Sequence, residues 1–135
     1  MASASYAQYI DAIQALEVEG VKRTYENPPT SFNSADMPCK FCWFPDGDNV
    51  PLSFGGGVRE FKRRTVDLVV VYASTTPKAV QPFEETVAMM DAVETALVGL
   101  SVGQSNPNWT IRSQLYEETA DRRFWAVIAT INGTG

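Results

Sequence analysis

Thr65-Val66-Asp67-Leu68-Val69-Val70-Val71-Tyr72-Ala73 is the stretch that decides the fold. It is rich in β-branched residues and has no proline or glycine, so it reads as a strand. Side chains of a strand alternate between its faces. Val66, Leu68, Val70 and Tyr72 fall on one face, and Val69, Val71 and Ala73 on the other. A strand apolar on both faces needs cover on both sides. The chain's own helices can supply one cover. The second must come from the long loops or from a neighbouring molecule, with Val69 and Val71 as its centre.

Working outward, Thr75-Thr76-Pro77 ends the strand and Pro82 suits a first helical position. Phe83, Val87, Met90, Val93, Leu97 and Leu100 then recur at helical spacing, widened by Met89 and Ala96, and predict a helix over 82–100. Upstream, Ser5 and Gln8 form a capping box before Tyr6, Tyr9, Ile10, Ile13 and Leu16, which predicts a helix over 5–18 stopped by Gly20. Short strands are expected over 21–26 and 38–44, the second with Cys39, Phe41 and Trp43 on one side. The central strand is expected over 59–74. Residues 46–58, opened by Pro45-Asp46-Gly47-Asp48 and holding Gly55-Gly56-Gly57, read as a long mobile connection. A last hairpin is expected over 109–118 and 122–131, with Trp109, Ile111 and Leu115 inward. The order implies an α+β fold: a mixed, mainly antiparallel sheet of four to five strands with two helices packed on one face. The length of 135 residues suits a single domain over 1–135.

Composition narrows the chemistry. Hydrophobic residues make up 44% and charged residues 20%, an ordinary globular balance. Sixteen acids against eleven bases give a formal charge of -5, which disfavours nucleic acid as a general partner. The chain has no histidine, the commonest general base and metal ligand. Cys39 and Cys42 stand three apart in a strand, which sends their thiols to opposite faces and argues against a bridge or a metal site. Met1 to Ser5 carry no basic or apolar run, and no window approaches the length of a membrane span, so the expectation is a soluble protein made in a cytoplasm.

Three sharper chemistries compete with a binding role. Gly55-Gly56-Gly57 lacks the Lys-Ser/Thr of a phosphate loop, so no nucleotide cofactor is expected. Glu84, Glu85, Asp91 and Glu94 share a helix, but Glu84 and Asp91 lie two turns apart, about 10 Å, too far for one ion. No nucleophile, base and orienter assemble, so no enzyme is expected. What remains are docking residues. Val69 and Val71 offer an apolar centre and Phe54 an anchor in the glycine-rich segment. Arg59, Lys62, Arg63 and Arg64 face Glu84, Asp91 and Glu94 as complementary charge for a rim.

The linear order of motifs carries a resemblance. An N-terminal helix runs into Gly20-Val21-Lys22-Arg23-Thr24-Tyr25-Glu26-Asn27-Pro28-Pro29, followed by Asp36-Met37-Pro38-Cys39-Lys40-Phe41-Cys42-Trp43-Phe44-Pro45. The valine strand, a Thr/Pro turn, Phe83 and a helix with Met89-Met90-Asp91-Ala92-Val93 complete the pattern. Over most of its length the chain resembles the tail terminator (tail completion, minor tail) proteins of long-tailed bacteriophages. The triglycine stretch and the cysteine pair are outside that pattern. The resemblance implies a small α+β domain without enzymatic activity, located in the virion neck. It implies a ring of six copies on the head-proximal end of the tail tube, which stops tube growth and offers a surface to head–tail connector proteins. DNA would pass through the lumen without specific binding. Other neck or connector-adaptor proteins, or a small-molecule-binding α+β domain, are the alternative expectations.

Overall fold

The computed structural model describes residues 5–29, 34–54, 57–74, 83–102, 107–119 and 122–134, and for most of 48–62 it describes backbone and register. Two helices, α1 (Tyr6–Gln14) and α2 (Phe83–Val98), accompany a six-stranded sheet: β1 (Arg23–Thr24), β2 (Cys39–Cys42), β3 (Asp46–Phe54), β4 (Gly57–Ser74), β5 (Asn108–Thr119) and β6 (Arg122–Thr134). The strand order is β1-β2-β4-β6-β5, with β3 paired to β4. Among the described residues only β1–β2 is parallel, and the other pairings are antiparallel. The architecture is the expected α+β sheet with helices on one face, and it has one strand more than the upper expectation.

The extra strand comes from 46–58, expected as a mobile connection. Asp46–Phe54 instead pairs with Gly57–Thr65, residue for residue. The turn signal at Asp46-Gly47 misled because glycine here serves a close approach within a strand. Gly55 and Gly56 lie outside the described residues. Thr65 and Arg63 bond to β3 on one edge and to β6 on the other, so β2 and β3 follow one another along the same edge of β4.

β4 divides the core. Val66, Leu68, Val70 and Tyr72 join Val127, Ala129 and Ile131 of β6 under both helices, where Tyr9, Ile13, Met89, Val93 and Leu97 close the layer. α1 lies over β2 and β4, and α2 over β5 and β6. Burial of each such aliphatic side chain contributes about 1.5–3 kcal/mol. On the opposite face Val69 and Val71 sit beside Cys39, Phe41, Ala126 and Ile128.

Helix boundaries follow local chemistry. Ser5 caps α1 as expected: its Oγ accepts from the Gln8 amide at 3.2 Å, and Gln8 Oε1 accepts from the Ser5 amide at 2.7 Å. α1 ends at Gln14, short of the expected residue 18, and Gly20 (φ 88°) turns the chain five residues beyond the Ala15 cap. Buried Lys40 donates from Nζ to the Gln14 carbonyl at 2.9 Å, placing a cation at the negative end of α1.

The buried stripe of α2 is Thr86, Met89, Val93 and Leu97. Phe83 and Val87, expected in the core, are 74% and 43% exposed. The helix is rotated because the Thr86 hydroxyl finds a buried partner in Tyr72 Oη. A satisfied hydroxyl can enter a core that hydrophobicity alone would deny it. Trp43, expected on the same side of its strand as Cys39 and Phe41, is 40% exposed while those two are buried.

Two glycines let α1 lie close on the sheet. Gly47 and Gly133 flank Arg64 from either side in register. Tyr6 rests over Gly47 and Tyr9 over Gly133. A Cβ on Gly133 would stand 2.7 Å from Tyr9 Cε1, and one on Gly47 2.8 Å from the Arg63 carbonyl oxygen. Tyr9 is buried and cannot swing away freely. Gly133→Ala is therefore expected to cost about 1–3 kcal/mol in urea unfolding, as overpacking does. Gly99→Ala, which has nothing within 4 Å of its new methyl, is expected to change stability by less than about 0.5 kcal/mol.

Candidate interaction surfaces

The residues singled out from the sequence fall into three places. Val69 and Val71 are 3% and 0% exposed. Their expected role as the apolar centre of a docking surface is corrected: of the two covers expected, this corner has the one supplied by the chain itself. Met37 and Phe124 are buried with them and Tyr25 packs against the cluster. Tyr25 is held by its own surroundings. The Arg23 guanidinium lies 4.4 Å over its ring, Tyr25 Oη donates to Asp36 Oδ2 at 3.4 Å, and Arg23 pairs with the same oxygen at 3.1 Å. Toward the other end of β4 this face turns polar. Thr65 donates to Asn132 Oδ1 at 2.8 Å, and Arg112 of β5 donates to Thr130 Oγ1 at 2.8 Å and Gln114 Oε1 at 3.1 Å. The strand is thus apolar on two faces only near Val69 and Val71.

Glu84, Asp91 and Glu94 lie on the exposed side of α2. Phe83, Val87 and Val98 are exposed on the same helix, which has no lysine or arginine from 83 to 98. This outer face is therefore acidic with apolar interruptions.

Phe54, Arg59, Lys62 and Arg63 all belong to the β3–β4 ribbon, Phe54 opposite Gly57 at its end. The side chains of Phe54, Arg59 and Lys62 lie outside the described residues, while Arg63 is exposed. β6 stops at Thr134 opposite Arg63, and β2 begins its pairing at Leu68. The pairs from Asn49–Lys62 to Phe54–Gly57 thus have strand neighbours only in each other among the described residues. The sequence placed bases and an aromatic here but missed that they share a two-stranded ribbon. The alternation Val50, Leu52 and Phe54 was the available signal.

A groove of about 530 Å³ opens between α2 and the turn after α1. Pro38, Tyr72, Met89 and Ala92 form its apolar wall, and Glu19 and Glu85 bring carboxylates to it. Burial pushes the Tyr72 hydroxyl above its ordinary pKa, against the opposing effect of its bond to Thr86. Among the described residues, no group of three or more His, Cys, Asp or Glu side chains could hold a metal ion. No helix is long and apolar enough to cross a membrane, again among the described residues. No protein-family model matches the chain, and no curated protein matches it in sequence.

The two thiols behave as the strand alternation predicts. Cys39 is buried on the Val71 side and Cys42 on the Leu68 side, both free. Burial pushes each from 9.0 to about 11, with Asp36 raising Cys39 further and Lys40 opposing the shift at Cys42. Native protein at about pH 8 should resist iodoacetamide at both positions, and denatured protein should be labelled at both. The folded state keeps these protons where the unfolded chain releases them. Their contribution to stability is therefore complete below pH 9.0 and lost as pH rises toward about 11. The Lys40 pKa is lowered by burial and acts in the opposite sense. Cys39→Ala with Cys42→Ala should show a shallower loss of stability across this window than the native chain, measured by urea unfolding at a series of pH values.

Proposed function

We propose that this chain is a virion structural protein of the tail terminator type. Copies of it close as a ring on the head-proximal end of a tail tube, stop tube growth and present a surface to head–tail connector proteins. The observation that carries this is the order of motifs along the chain, from the capped N-terminal helix through the double-proline segment and the valine strand to the Met89-Met90 helix. The α+β architecture supports it, being the class that the resemblance implies. A head-to-tail ring needs two different surfaces on each subunit, and the acidic outer face of α2 with its exposed Phe83, Val87 and Val98 suits one of them. The net charge of -5 suits a lumen through which DNA moves without being held. The ring is expected to have six members, with the tail tube protein on one side and connector proteins on the other. Its activity in this role is mechanical rather than enzymatic.

Purified protein mixed with tail tubes should cap one end of each tube and block further addition of tube subunits, seen by electron microscopy. Particles lacking the protein should carry tails of abnormal length. Full heads without tails, together with a failure to cap tubes, would instead assign the chain to the connector side of the neck.

A further inference from the structure

Arg64 is a partly buried cation whose own chain leaves it unmet. It alternates with Val66 and Leu68 and so belongs to the sheet face that the helices cover. Its cross-strand neighbours on that face are Gly47 and Gly133, neither with a side chain. The space over the two glycines is taken by the hydroxyl ends of Tyr6 and Tyr9, one on each side of Arg64. The guanidinium carbon lies 5.0 Å from the centre of the Tyr6 ring. Arg64 Nε is buried and has no hydrogen-bond partner. Among the described residues Arg64 has no ion pair.

The acids close to Arg64 in register or sequence are placed away from it. Asp46 and Asp48 stand opposite Thr65 and Arg63, the positions on either side of Arg64, and thus on the other face. α1 has no acid in its first turn, and its Asp11 is exposed two residues past Tyr9, about 200° around the helix. A buried donor left unmet is costly, and such a group in a folded protein calls for a water or an ion. A guanidinium holds a carboxylate through two parallel N–H···O bonds, and Nε–H supplies one of them in the side-on arrangement. One cation matches the single charge of a carboxylate, whereas a phosphate dianion would keep an unmatched charge beside two aromatic rings. The Tyr6 ring, 38% exposed, offers an apolar surface next to the cation.

We infer that Arg64 is the anchor of a binding site for a carboxylate, whose apolar body lies against the Tyr6 ring. The carboxylate oxygens accept from Arg64 Nε–H and from the guanidinium Nη–H beside it. The Tyr9 hydroxyl, over the neighbouring Gly133, is placed to donate a further bond. A free organic acid and an acidic side chain of a partner protein share this chemistry. The site is independent of the ring proposed above and stands or falls without it.

Benzoate titrated into the isotope-labelled native chain, at about pH 6 where it is ionised, tests the site by NMR. The Arg64 Nε–H resonance should shift saturably, with a Kd on the order of 1–10 mM. The Arg112 Nε–H already donates to Gln114 Oε1 and should stay in place. Phosphate and chloride at equal ionic strength should act at least about tenfold more weakly. Followed at the Gly133 amide, Arg64→Lys keeps the charge but loses the fork and should weaken binding by about tenfold, and Tyr9→Phe by about threefold. No saturable shift with benzoate up to about 100 mM overturns the inference. An equal response to chloride overturns it as well, since that is screening alone, and tighter binding of phosphate overturns the carboxylate assignment. An acetylated and amidated Phe-Glu dipeptide separates the two sources. Tighter binding of the dipeptide than of benzoate assigns an acidic segment of a partner protein, the reverse assigns a free organic acid, and either result retains the site.

Discussion

β4 is bonded on both edges and buried on both faces over Leu68–Val71, and the remaining structure is arranged around that double burial. Backbone groups there have no water to turn to, so strands must flank them on each side. Side chains there have no water on either face, so two layers must close over them. The helices supply one layer. The corner built from Met37, Tyr25 and Phe124 contributes to the other, with Arg23 and Asp36 holding Tyr25 in place. Where the demand ends, at Asp67 and Thr65, the second face becomes polar and needs no layer.

The same strand continues outward as the ribbon, and its root is firmly set. Tyr6 rests over Gly47, Arg64 lies 5.0 Å from the Tyr6 ring centre, and Tyr9 rests over Gly133. α1 is in turn held at its other end by Lys40 on the Gln14 carbonyl.

Reactive groups are dispersed among the described residues. The thiols are buried in two separate clusters with raised pKa values, and the acids of α2 face outward from a helix that buries its apolar stripe. The groove beside Tyr72 has an apolar wall and two carboxylates, without a nucleophile beside a base. The acidic outer face of α2, with Phe83, Val87 and Val98 exposed on it, is the more developed feature.

Much of the architecture was legible in the chain itself. The β4 alternation, the Ser5–Gln8 box, the opposite facing of Cys39 and Cys42 and the final hairpin are local features, set by side-chain period and short-range bonding. Three things were decided only by tertiary structure. Thr86 displaced Phe83 and Val87 from the core because Tyr72 was there to satisfy its hydroxyl. Asp46–Phe54 became a strand because β4 offered an open edge below β2, a partner that a local turn signal cannot register. Val69 and Val71 were covered by residues distant in sequence, Tyr25, Met37 and Phe124. Periodicity states which residues want to leave water; only the folded arrangement of distant segments determines what receives them.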